Sequence, residues 1–456
     1  MAGRVRDLWR RVSAQSVLLT AYQVVAVVVG VQLLVRGLHL LVDHSWASNG
    51  WGDGRVDWGA AQLFLRGLSP YTPEGLKTLG LEKYGFGHPP TTPFWFIPLA
   101  PFTWVVMGQI VAACALLALL LHVVICVDEL RLPSRLITIL LIFSVVVGAP
   151  WMIEHFHVMQ ISEFIALTYV LAWYHLRHER EIAAGAWIGI ACTLKLFPGL
   201  MVIYLILARR WRAVMAAVAV YLPVAIIMTW VYGVGCWRLF FAQQGTIADA
   251  WLGHIRNASI HGIVLRCFSP TCVAHVNPSR VGTALAALAA LLILGGTLWV
   301  TRQRWRERTN IDLPFALFTL VSAFLNAWIW EHYRVILILP VLIAGRTIAD
   351  AAMDAWARRS SPPPEGPGFR QWAIIGGAAA LAIGSVLSLT DGVWDKENAL
   401  RAYLRSERMD AAVRHALHFK LHWLEVMNWL PWVLAIVLVA GLIVRESWSP
   451  RSRTPA

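Results

Sequence analysis

The sequence predicts an all-α polytopic membrane protein, and three observations carry that reading. Of 456 residues, 58% are hydrophobic and only 14% charged, with a mean hydropathy of +0.60. Apolar runs of about 18–25 residues, the length a helix needs to cross hydrocarbon, recur from one end of the chain to the other. Between them, basic residues gather in short connections, while acids, histidines and tryptophans gather in longer ones. Length alone would suggest about three soluble domains, but the recurring runs favour a single membrane domain over residues 1–456.

The first element follows the basic segment MAGRVRDLWRR and runs from Val17 to Val42. It is too long for a signal-peptide core and has no small-residue cleavage site, so it reads as a retained span. Further spans are expected at 102–126, 135–152, 162–176, 212–233, 281–300, 312–329, 334–348, 371–389 and 428–444. Between 183 and 209, the run AAGAWIGIACTLKLFPGLMVIYLILA is interrupted by Lys195 and Pro198 and reads as two short helices. The expected total is about twelve segments, with both termini cytoplasmic.

Charge distribution sets the orientation. More than half of the 39 Lys and Arg residues, including Arg4 to Arg11, Arg209 to Arg212 and Arg302 to Arg308, fall in the short connections assigned to the cytoplasm. The loops 43–93, 151–161, 234–280 and 390–425 are then extracytoplasmic, and chemistry is expected on their side. SSPPPEGPG (360–368) reads as a flexible inner linker before a C-terminal helical hairpin at 371–444. The net charge of +13 is a matter of topology, because no stretch interleaves bases with aromatics in the way that tracks phosphates; nucleic acid is not an expected partner. Anionic lipid headgroups are the expected resting place of the basic residues in loop 390–425. Six cysteines show no metal-ligand spacing; Cys267 and Cys272 in CFSPTC either form a small disulfide or remain free thiols.

Several polar groups stand out beside the apolar runs. In WGDGRVDWGAAQLFLRGLSPY (51–71), Asp57 heads an amphipathic stretch whose Val56, Ala60, Leu63 and Phe64 share a helical face. It reads either as a helix N-cap or as a general base, and the residues alone leave both open. Asp53, between two glycines, reads as a turn residue. Lys195, at the broken run, either snorkels to the interface or meets a phosphate. WIWEHYR (328–334) places Glu331, His332 and Arg334 at the outer end of a span; it offers an aromatic belt with an interfacial ion pair, the reading favoured for Trp328 and Trp330, or, through His332 and Arg334, donors to a phosphate oxygen. HPPTTPFWFIPLAPF (88–102) suits a re-entrant or surface-lying segment, and its His88 reads equally as a ligand contact or a satisfied loop histidine. EHFHVMQISEF (154–164) contributes His155, His157, Gln160 and Glu163; the two histidines, two apart, do not share a helix face, which argues against a metal site. HIRNASIHG (254–262) gathers Arg256, Asn257, Ser259 and His261.

Taken in order, these pieces resemble glycosyltransferase family 87, membrane glycosyltransferases of the GT-C type that use polyprenyl-phosphate sugars and include mycobacterial mannosyltransferases and an arabinofuranosyltransferase. The resemblance is carried over residues 50–340 by Asp57 followed by the Gly-x-x-Pro-Tyr ending at Tyr71, a Pro-Pro step after His88, Lys195-x-x-Pro198, Asn257-x-Ser259, and Trp330-x-His332-Tyr333. Two departures are His88, where the family often has Tyr, and MQIS (159–162), where it often has Gly-Gln-x-Asn.

The resemblance implies a GT-C fold and an inverting transfer of mannose, or alternatively arabinofuranose, to a glycolipid or polysaccharide acceptor. Asp57 would be the base, and Lys195, His332, Arg334 and Arg256 would hold the donor phosphate. Asp53, Tyr71, His88, Gln160, Asn257, Ser259, Trp330, Glu331 and Tyr333 would contact substrate. No cofactor or metal is expected; the lipid-linked donor is a substrate. A transporter or flippase is the competing class. It would share a dozen spans and a broken helix, but the second half holds no inverted copy of the broken pair.

Overall fold

A computed structural model describes residues 14–42, 52–82, 85–267, 280–305, 310–359, 402 and 411–447. The expected span at 371–389, the linker at 360–368, the N-terminal basic segment, most of loop 390–425 and Cys272 lie outside them.

Every regular element among the described residues is helical. In chain order these are α1 (Ala14–Leu41), α2 (Gly52–Leu65), α3 (Pro73–Leu79), α4 (Trp104–Glu129), α5 (Arg135–Val147), α6 (Pro150–Val158), α7 (Ser162–Arg177) and α8 (Glu181–Leu194). They continue as α9 (Gly199–Leu207), α10 (Trp211–Tyr232), α11 (Cys236–Trp251), α12 (Ile260–Cys267), α13 (Arg280–Thr301), α14 (Asp312–Phe324), α15 (Ile338–Arg359) and α16 (Ala411–Ser447). Two 3₁₀ turns, at Thr92–Leu99 and Glu331–Leu337, complete the set.

Six helical stretches are long and apolar enough to cross a membrane, or seven if α5 and α6 form one span bent by 63°; α8 and α14 are shorter apolar helices. The protein is a multi-pass membrane protein. Several expected spans are therefore shorter or broken. The run expected at 135–152 turns at Pro150, which starts α6. That expected at 312–329 ends at Phe324, where the chain leaves the helix and Asn326 Nδ2 donates to Trp328 O at 2.5 Å.

Small residues bring the central helices together, which matters in lipid because apolar tails compete with apolar side chains and close backbone approach must supply the attraction. A Cβ on Gly185 of α8 would lie 1.9 Å from Ala213 O of α10, and one on Gly189 2.6 Å from Ala217 O. On its other side α8 packs along α7, whose Trp173 and Tyr169 are fully buried; Trp173 Nε1 donates to Asp312 at 2.9 Å, joining α7 to α14.

Where α8 ends, Lys195 adopts an extended backbone (φ −149°, ψ 158°) and Pro198 starts the turn into α9. One carbonyl and one side-chain hydroxyl of the last turn find partners in the proline-rich segment after His88, which folds as the first 3₁₀ turn. Thr92 Oγ1 donates to Leu194 O at 2.7 Å, and Trp95 Nε1 donates to Thr193 Oγ1 at 2.9 Å. The same 3₁₀ turn packs on α2, so one short segment sets α2 beside the helix break.

Candidate active site

α2 begins at Gly52, so Asp57 is its sixth residue, past the capping positions. The N-cap reading fails on that geometry. Asp57 is 2% exposed and lies on the buried face with Gly54, Ala60, Ala61 and Leu63, while Val56 and Phe64 are half-buried against a separate aromatic cluster. A carboxylate on the packed face of a helix requires a polar partner. Here it is His88, whose Nδ1 stands 2.5 Å from Asp57 Oδ1.

Asp53 is in the first turn of α2, correcting its assignment to a turn, and its exposed carboxylate accepts from Nε2 of buried Gln160. α2 approaches the α6–α7 connection this closely because Gly54 has no side chain: a Cβ there would fall 1.7 Å from Met159 Cε and 2.8 Å from its Cβ. Met159 itself has a positive φ of 52°.

Lys195 is half-buried, and among the described residues it forms no direct ion pair, although the fields of Asp57 and Asp53 both reach it. His332, 3% exposed, lies within electrostatic range of Lys195, His88, His155 and Arg256, and Tyr333 within range of both aspartates. The ring of His332 is 6.3 Å from that of His155, whose Nε2 lies 2.5 Å from Glu163 Oε2. His155 and Glu163 are 1% and 0% exposed, and among the described residues Glu163 Oε1, His155 Nδ1 and both nitrogens of His332 are buried without a hydrogen bond.

Arg256 sits between two carboxylates, 2.5 Å from Glu154 Oε1 and 3.7 Å from Glu331 Oε2, with its guanidinium 6.0 Å from the Trp330 ring centre. Trp330 packs edge-on to Trp251 and His254. Glu154 was not singled out by the sequence. Its one signal, an acid beside His155, does not reveal a partner that is 102 residues away.

Four expected ligand residues are engaged by the scaffold. Asn257 Nδ2 donates to Leu252 O and Ala327 O at 2.9 Å, and its Oδ1 accepts from the amides of Ser259 (3.1 Å) and Ile329 (3.0 Å). Ser259 Oγ donates to Ala327 O at 3.0 Å and accepts from Gly262 N. Arg334 turns to α16, donating to Met427 O at 3.0 Å and Asn428 Oδ1 at 3.4 Å, and Asn428 Nδ2 in turn donates to Arg256 O at 2.6 Å. Tyr71, 1% exposed, donates its hydroxyl to His88 O at 2.5 Å and so holds the loop that carries His88.

The structure therefore brings Asp53, Asp57, His88, Gln160, Lys195, Arg256, Glu331, His332 and Tyr333 into one region, from α2, three loops, the α8–α9 break and the second 3₁₀ turn. Its carboxylates can take a proton or hold hydroxyls, and its cations can hold an anion. Among the described residues, no group of three or more His, Cys, Asp or Glu is arranged to hold a metal ion.

Residues 86–330 match the model for Glycosyltransferase family 87, a match that begins after both aspartates. A relative from Mycobacterium tuberculosis (strain ATCC 25618 / H37Rv), the polyprenol-phosphate-mannose-dependent alpha-(1-2)-phosphatidylinositol mannoside mannosyltransferase, is 25% identical over 441 residues, covering 91% of this chain and 88% of the relative. No solved structure matches the chain.

Proposed function

The chain belongs to glycosyltransferase family 87, and from that premise we propose that it moves mannose from a polyprenyl-phosphate donor to a glycolipid or polysaccharide acceptor at the outer face of the cytoplasmic membrane. The observation that carries the mechanism is a buried aspartate and a lysine at a helix break that share one site without an ion pair between them. An intramembrane lysine costs about 2.5–3.5 kcal/mol at the bilayer centre, which makes it a functional group by default.

In this mechanism the donor phosphate lies by Lys195 and His332. The acceptor hydroxyl attacks the anomeric carbon from the opposite face and gives its proton to Asp57 as the bond from the sugar to the phosphate oxygen breaks. Polyprenyl phosphate leaves, and a β-linked donor yields an α-glycoside. General-base assistance is worth roughly 10²–10⁴ in rate, and cations around the departing oxygens lower the barrier further. Asp53 and Gln160, with Glu331, Trp330 and Tyr333, border the sugar. Arg256 acts there through Glu154 and Glu331, and no resident metal or cofactor takes part in the reaction as written.

The mannose donor in the relative's name supports mannose, and the positive charge of the short connections supports the outer placement. Purified protein given radiolabelled polyprenyl-phosphate-mannose or polyprenyl-phosphate-arabinofuranose with a glycolipid extract tests the reading. The expected result is labelled mannolipid with one polyprenyl phosphate released per transfer. Turnover with the arabinose donor alone would overturn the sugar, and movement of intact donor across proteoliposomes without release would overturn the enzyme class.

A further inference from the structure

His88 is held from three sides. Tyr71 donates to its carbonyl; Gln243 of α11 ties the same loop, donating to Tyr71 O at 2.8 Å and accepting from Phe86 N at 2.9 Å; and the Phe86 ring meets the imidazole edge-on at 5.8 Å. Pro89 and Pro90 follow and restrict the backbone beyond it. So rigid a mount for one partly exposed imidazole (16%) delivers its Nδ1 to the 2%-exposed Asp57.

With Asp57 ionised, the Nδ1 proton belongs to the imidazole and is donated to Oδ1. Among the described residues this is the one hydrogen bond to Asp57, which leaves Oδ2 for a substrate hydroxyl. We propose that His88 is a positioning residue that aims Oδ2 of Asp57 at the acceptor hydroxyl. The inference rests on Asp57 being the base. The groups around the imidazole are Asp53 and Asp57 from α2, His332 from the second 3₁₀ turn, and Lys195, which feels both acids; α11 presents the amides of Gln243 and Gln244.

Release of polyprenyl phosphate from polyprenyl-phosphate-mannose, with a glycolipid extract as acceptor, is measured against pH for the full-length wild type, His88→Asn, His88→Phe and Asp57→Asn. The asparagine amide places a neutral donor near the position of Nδ1. His88→Asn, which keeps a donor to Oδ1, is expected to stay within about tenfold of wild type at each pH. His88→Phe loses about 10- to 100-fold in kcat with the donor KM within about twofold, the signature of a misaligned base. A wild-type kcat for His88→Phe, or a loss in His88→Asn as deep as that in His88→Phe, overturns the proposal. An active Asp57→Asn overturns the base assignment itself; an inactive Asp57→Asn beside a wild-type kcat for His88→Phe confines the failure to His88.

Discussion

The hydroxyl of Thr92 donates to the carbonyl of Leu194 at 2.7 Å across 102 residues of sequence, and this bond marks the point where α8 stops and Lys195 is released from the helix. The lysine's place is set by the proline-rich segment as much as by its own helix. Thr92→Val is therefore expected to raise the donor KM a few-fold, since one ordinary hydrogen bond contributes about 0.5–1.5 kcal/mol. Initial rates at varied polyprenyl-phosphate-mannose check this, and an unchanged KM counts against the coupling.

Lys195→Ala removes the cation itself. A charge-assisted hydrogen bond is worth about 1.5–3 kcal/mol, so the donor KM is expected to rise by roughly 10- to 100-fold, with Lys195→Arg recovering part of it. A lysine that merely snorkels to the interface would leave donor binding untouched.

Asp57→Asn keeps the size of the side chain and removes its basicity. Transfer is expected to drop by about 10²–10⁴-fold while the protein still elutes as a folded species in detergent. Normal turnover by a folded Asp57→Asn protein would remove Asp57 from the mechanism.

Gly54→Ala adds a single methyl that must displace Met159, whose backbone is already left-handed. The shift moves Asp53 and Asp57 together, and misplacement by about 1 Å can cost 10²-fold in rate. The expected outcome is a kcat lowered by about tenfold or more with a smaller change in melting temperature; equal activity would show that α2 can slide without penalty.

Gly185→Ala tests the fold away from the chemistry. Its methyl would strike the Ala213 carbonyl, which is backbone and can yield only if α8 and α10 separate. A loss of about 1–3 kcal/mol is expected, read as a lower unfolding temperature in detergent.

The membrane class, the first span and the break at Lys195 and Pro198 were legible because they rest on hydrophobicity and proline, which act locally. The lengths of α5 and α14 were not, since hydropathy at 148–152 and 325–329 continues past the points where Pro150 and the Asn257 contacts turn the chain. At the site, the residue types of Asp57, His88 and Lys195 were visible, but their pairing was not. The bond between His88 and Asp57 spans 31 residues, and that between Gln160 and Asp53 spans 107. Asn257, Ser259 and Arg334 show the converse: polar residues beside an active region that long-range backbone contacts had already engaged.

Asn257 accepts two backbone amides and donates to two carbonyls drawn from both sides of a 70-residue gap. Segments 251–259 and 325–331 are thereby riveted into a single plate that carries Arg256, Trp330 and Glu331. Any closure over a bound sugar must swing that plate as one body, so these three side chains keep their mutual spacing whether the cleft is open or shut.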